Sequence, residues 1–125
     1  MNFFSTRPVR LISGCSVGIG LQERKGGKLL PCSCSGVMVD ISEKGTSLVL
    51  FQMLLEGKHL FFSTLDNDQY DLVLSINNQD TCGEPFVVPA RSVWMDSCHF
   101  NKRPAFKLGI CFLEKQKKLF QLFKK

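Results

Sequence analysis

The chain has 125 residues and 44% apolar content, which suits one domain with its own core and excludes extensive disorder. No apolar run approaches the roughly 20 residues that cross a bilayer as a helix, so no transmembrane segment is expected. The formal net charge is +5 with a pI near 9.0, and the excess points to anionic partners: nucleotides, nucleic acids, acidic proteins or a membrane surface.

Met1-Asn2-Phe3-Phe4 has neither a basic start nor a long apolar stretch. No secretory leader is expected, and the cytoplasm is the expected compartment. Residues 1–14 read as an arm that carries Arg7 and Arg10, with Pro8 fixing the backbone between them. A β-rich body over residues 15–125 follows. Cys15 to Gln22 alternates, with Val17, Ile19 and Leu21 on one face. Arg24 to Lys28 is a polar turn. Leu29 to Ile41 is a long extended run interrupted by Pro31, and Thr46 to Leu54 reads as one nearly continuous apolar strand. His59 to Ser63 is a short aromatic run. Tyr70 to Ile76 is the cleanest strand, with Tyr70, Leu72, Leu74 and Ile76 on one face.

A polar loop covers Asn77 to Gly83. Phe86 to Met95 and Ala105 to Phe112 are the last strands, joined by a loop holding Asn101-Lys102-Arg103-Pro104. Many short strands with Gly-rich turns point to a small barrel or sandwich. The tail changes period. Phe112, Leu119, Phe120 and Phe123 recur at helical spacing, which predicts an amphipathic helix over about 113–124. Its lysines are expected near the C-terminal end, where the helix dipole favours cations. Docking on the chain's own core ranks ahead of a membrane or partner surface.

The six cysteines are Cys15, Cys32, Cys34, Cys82, Cys98 and Cys111. Zinc sites bring ligands as two close pairs, and only Cys32 and Cys34 are close, at the spacing of a strand face. The cysteines therefore read as small buried hydrophobes in a reducing compartment. No metal and no catalytic thiol is expected, since His59 and His99 belong to no nucleophile signature.

The most informative stretch is Asp40-Ile41-Ser42-Glu43-Lys44-Gly45, set between two extended runs. Asp-x-Ser-x-x-Gly is ordinary hairpin chemistry. It is also a cluster of acceptors that can read the donor edge of guanine, where a ring N–H and an amino group point the same way. Arg7 and Arg10 supply the opposite charge that phosphates need. Together they read as a nucleotide-binding module.

With these motifs the chain resembles a PilZ domain over nearly its whole length. Asp40, Ser42 and Gly45 match the family's Asp/Asn-x-Ser-x-x-Gly element, and Ser92 to Met95 and Lys107 to Phe112 resemble its closing strands. The arginine element is non-standard: Arg7 and Arg10 stand three apart, where the family pattern has four. The resemblance implies a mainly β fold, a small antiparallel barrel of six to seven strands with a C-terminal α-helix. It implies a bacterial receptor for cyclic di-GMP, without enzymatic activity or cofactor. Arg7 and Arg10 would grip phosphate or guanine, Asp40 would accept from guanine, Ser42 would bond base or phosphate, and Gly45 would permit close approach. The arm would order on ligand binding and signal to a protein partner, as in control of motility or biofilm formation. A second reading is a degenerate PilZ adaptor of the motility or pilus machinery that binds protein without nucleotide. A third, a small barrel that binds RNA or single-stranded DNA, ranks last, because most aromatics fall in apolar runs.

Overall fold

The structure is a computed structural model that describes residues 11–30, 34–55, 57–65, 69–76 and 86–123. Six strands close into a barrel: β1 (Leu11–Glu23), β2 (Cys34–Ile41), β3 (Gly45–Leu50), β6 (Tyr70–Ile76), β7 (Phe86–Phe100) and β8 (Arg103–Phe112). Their order around the barrel is β1-β2-β3-β8-β7-β6, and every pairing is antiparallel. The expected mainly β barrel with a C-terminal helix is thus what forms.

Alternation fills the interior. Val17, Ile19 and Leu21 of β1 face Leu72, Leu74 and Ile76 of β6, and Leu48, Leu50, Leu108 and Ile110 complete the far wall. All but Val17 have no exposed surface. Gly36 sits on this inward face of β2. A Cβ there would lie 2.4 Å from Leu50 Cδ2 and 3.0 Å from the Val49 carbonyl oxygen, so close packing against β3 needs a glycine.

Tyr70 to Ile76 forms as read. Other elements differ from the sequence expectations. β1 begins at Leu11, because Leu11 and Ile12 pair with Ile41 and Asp40 of β2; residues 11–14 are therefore strand. Within the run from Leu29, Leu29 makes only an isolated bridge to Gln22, and β2 proper begins at Cys34. The run Thr46 to Leu54 leaves the sheet after Leu50, where its pairing with Gly36 and Phe106 ends. Its remaining apolar residues serve an excursion. β4 (Leu54–Leu55) pairs with β5 (Lys58–His59), and the short helix α1 (Phe62–Leu65) follows. Met53, Leu55, Leu60 and Phe61 turn into the core. Thr64 ties α1 down: its hydroxyl lies 2.7 Å from the Leu60 carbonyl oxygen and 2.6 Å from Ser92 Oγ on β7.

The expected loop between the last strands is a two-residue turn instead. Asn101 (φ 52°) and Lys102 (φ 65°) are both left-handed, and Arg103 and Pro104 already pair with Phe100 and His99. Two left-handed residues match the right-handed twist of the flanking strands, which favours a tight hairpin over a loop.

The C-terminal helix α2 spans Lys117–Phe123, shorter than expected. β8 keeps Phe112, and residues 113–116 link strand to helix. Lys117 and Lys118 therefore sit in the first turn, where the dipole does not favour them, and Lys124, at the end of the expected helix, lies outside the described residues. Leu119 is fully buried, Phe120 nearly so, and Phe123 packs against the core. The helix docks on its own barrel. Leu119→Ala is expected to lower stability by about 3 kcal/mol in urea unfolding; an unchanged midpoint would mean the helix contributes little to the fold.

Candidate functional site

Asp40 is the penultimate residue of β2, Ser42 opens the turn and Gly45 starts β3. The turn is held from within. Ser42 N–H donates to the Gly45 carbonyl oxygen at 2.8 Å. Ser42 Oγ accepts from the Lys44 and Gly45 N–H groups at 3.3 and 3.2 Å, and lies 3.3 Å from the Gly45 carbonyl oxygen. The Ser42 side chain has no exposed surface and is committed to the turn. Gly45 is buried and does not adopt a left-handed φ. Asp40 is half-buried, and its Oδ1 accepts the Ser47 N–H at 3.0 Å. Its main-chain oxygen accepts the Thr46 hydroxyl.

The same turn is fastened to the C-terminal segment. Phe112 N–H donates to the Lys44 carbonyl oxygen and Gln116 N–H to that of Glu43, both at 2.8 Å. Lys115 Nζ lies 3.5 Å from Glu43 Oε1. That ion pair is half-exposed and adds little; the main-chain bonds do the fastening.

Strict alternation would turn Asp40 inward, because Met38 of the same strand is in the core. A register irregularity between Met38 and Asp40 changes this. Asp40 then pairs with Ser47, which lies on the outer face of β3 between the inward Thr46 and Leu48 but is itself buried. β7 repeats the device. Val88, Ala90 and Ser92 are buried, and a second irregularity between Ser92 and Trp94 re-aims Trp94. Trp94 pairs with Gly109, which points outward between the core residues Leu108 and Ile110. The indole rests on Gly109: a Cβ there would lie 2.2 Å from its Nε1 and Cε2. Asp40, Ser47, Gly109 and Trp94 thus form one outward row over β2, β3, β8 and β7. Three strand spacings make the row about 14 Å long.

Sequence reasoning identified Asp40 but not its row. Trp94 entered only as a strand residue and a stacking candidate, and its seat on Gly109 is a pairing that no local motif encodes. Arg7 and Arg10 lie outside the described residues. Elsewhere, Asp71 accepts from Arg24 Nε at 3.0 Å and Arg91 Nε at 3.4 Å. Burial raises the thiols of Cys15, Cys34 and Cys111, which disfavours the thiolate. Burial lowers His59, whose Nδ1 accepts the Phe62 N–H at 3.2 Å. Among the described residues, no three His, Cys, Asp or Glu side chains cluster to hold a metal ion, and no helix is long and apolar enough to cross a membrane.

By sequence, no family model and no curated protein matches the chain. By structure it superposes on the domain described as "PilZ domain with c-di-GMP of YcgR from Escherichia coli". The TM-score is 0.58 at 11% identity, over 96% of this chain and 86% of that one. The fold is that of a PilZ domain. MrkH of K. pneumoniae and PlzA of Borreliella burgdorferi, each described in complex with c-di-GMP, give the same TM-score of 0.58 at 11% identity. Those matches cover 95% and 94% of this chain but only 49% and 50% of theirs, so it spans about half the length of each. The PilZ-type barrel expected from Asp40, Ser42, Gly45 and the closing strands is the one observed.

Within this PilZ fold, Ser42 is the staple of the β2–β3 turn. Ser42→Ala leaves the Gly45 N–H without its buried acceptor and is expected to cost about 1–2 kcal/mol in urea unfolding. A midpoint equal to that of the parent protein would show that the main-chain bonds suffice.

Proposed function

We propose that this protein is a cyclic di-GMP receptor whose N-terminal arm orders on the barrel when ligand binds and thereby signals to a protein partner. The observation that carries the reading is the Asp40 carboxylate. A bulge brings it to the outer face, and the Ser47 N–H fixes it in place at the motif turn of a PilZ fold. A fixed carboxylate accepts the ring N–H and amino group of guanine without first being ordered. The complexes described for YcgR, MrkH and PlzA support the same ligand class. Arg7 and Arg10 would supply planar, bidentate donors for phosphate or guanine. Gly45 opens the strand beside the site, and Ser42 holds Asp40's turn. The reading involves no bond cleavage and no cofactor, and it places the protein in a bacterial cytoplasm.

The adaptor reading, in which the domain binds protein without nucleotide, is favoured by one observation. The Ser42 hydroxyl, which the family pattern assigns to ligand, is enclosed in its own turn. Calorimetric titration with cyclic di-GMP, with GTP and GMP as controls, separates the two. Saturable micromolar binding specific to the cyclic dinucleotide supports the receptor; no heat and no thermal stabilisation leave the adaptor. In the receptor case, Arg10→Ala is expected to abolish binding with little change in the thermal midpoint of the free protein. Asp40→Ala is expected to weaken binding at least about tenfold while costing roughly 1 kcal/mol of stability through the lost Ser47 bond. Unaltered affinity would remove the substituted residue from the site.

A further inference from the structure

From Cys98 to Ala105 the last two strands pair only with each other. β3 leaves β8 at the pair of Leu50 with Phe106, and β6 reaches along β7 no further than Ala90. The end of the β7–β8 hairpin thus extends past its neighbouring strands. Phe51, the first residue beyond β3, lies against it. The Arg103 guanidinium carbon is 4.1 Å from the centre of the Phe51 ring, and the Phe100 ring centre is 6.2 Å away. An open groove of about 510 Å³ runs beside Phe51 and the paired residues Cys98 with Ala105 and His99 with Pro104. Phe51, His99, Lys102, Arg103 and Pro104 are all exposed. The charge here is mainly positive. Lys102, Arg103 and Lys107 meet a single carboxylate on the hairpin, Asp96, whose Oδ1 accepts the Ser97 N–H at 2.8 Å.

We propose that this hairpin end is the docking surface for an acidic segment of a partner protein, with carboxylates on Lys102 and Arg103 and an apolar side chain in the groove beside Phe51. Arg103 is the anchor. Its guanidinium is stacked on Phe51, which sets its plane in advance and leaves its edge donors for a carboxylate. Phenylalanine and arginine are enriched at protein interfaces. The same details disfavour other anionic partners. Arg103 covers one face of Phe51 and Phe100 flanks the ring, a poor platform for the stacked bases of a single-stranded nucleic acid. Lys102, Arg103 and Lys107 fall short of the roughly four to eight basic residues that hold a protein to an anionic bilayer. The site is remote from the motif turn. Arg103 and Phe112 begin and end β8, and Phe112 is bonded to Lys44 of that turn. The strand between them spans about 30 Å. The inference goes beyond the receptor reading and holds whether or not the domain takes nucleotide.

The test titrates the intact, isotope-labelled chain with the capped peptide Glu-Glu-Leu-Glu-Phe-Glu-Glu and follows the amide NMR spectrum. No cyclic di-GMP is present, so failure of the receptor reading leaves the outcome untouched. Saturable shifts are expected at Phe51, Cys98, His99, Arg103 and Ala105, and none at Lys117 and Lys118 of α2. Arg103→Glu is expected to weaken the peptide at least about tenfold, and Lys117→Glu, an equal change of charge, by less than about twofold. A peptide with serine in place of its leucine and phenylalanine is expected to bind more weakly than the parent peptide. The proposal fails if no shift saturates, if shifts spread over the exposed lysines generally, or if both charge reversals weaken the peptide equally. Oligothymidylate or phosphatidylserine vesicles that bind at Arg103 more tightly than the peptide would overturn the assignment to a protein partner. Arg103 is exposed, and the amide spectrum checks that its variant folds. Should Arg103→Glu not fold, the shift map of the parent protein decides the question.

Discussion

A closed barrel gives each strand one row of side chains for the core and one for the outside, and only a break in register moves a residue between them. The outer placement of Asp40 and Trp94 depends on that constraint. By uninterrupted alternation Asp40 would follow Met38 into the interior, and Trp94 would follow Val88, Ala90 and Ser92. A buried, unpaired carboxylate would cost several kcal/mol, and an indole would overfill an interior already occupied by leucine and isoleucine. Irregularities on β2 and β7 resolve both problems and place the two residues in register across β3 and β8. The core then closes around Ile41 and the partly buried Met95 in the phase that follows each break.

The β2–β3 turn joins this outer face to the end of the chain. Ser42 holds the turn internally, and the carbonyl oxygens of Glu43 and Lys44 receive N–H groups from Gln116 and Phe112. The segment bearing Asp40 is thus continuous, through two main-chain bonds, with the residues that launch α2. The helix adds Leu119 and Phe120 to the core that β2 and β3 line.

Much of the barrel was legible because its signals are local. Tyr70 to Ile76 alternates cleanly, and its buried face is the expected one. The motif residues Asp40, Ser42 and Gly45 were visible as turn chemistry between two apolar runs. What escaped depends on partners distant in sequence. Thr46 to Leu54 reads as one strand because Met53 and Leu55 are as apolar as Leu50, but only Gly36 and Phe106 determine where pairing ends. Asn101 and Lys102 accept left-handed backbone without glycine, so the turn looked like a longer loop. The helical stripe from Phe112 was misplaced at its start because the strand claims that residue. The bulges that orient Asp40 and Trp94 leave no trace in composition or period, and neither does Gly109 as the seat of an indole.

The tight turn at Asn101 and Lys102 also bears on how the barrel assembles. β7 and β8 pair from Phe100 and Arg103 back to Ala90 and Phe112, all within one contiguous stretch of chain. Closing a two-residue loop carries little chain entropy, so this hairpin can zip from its turn. β1 and β6 must instead find each other across the whole intervening sequence, Val17 meeting Ile76 and Glu23 meeting Tyr70. That seam and the still more distant pairing of β3 with β8, Gly45 meeting Cys111 and Leu50 meeting Phe106, are the non-local steps, and the hairpin that carries Trp94 and Gly109 is a natural early template. Assembly order and the outer face are linked through the same turn: the indole and its glycine seat can meet before the barrel has closed.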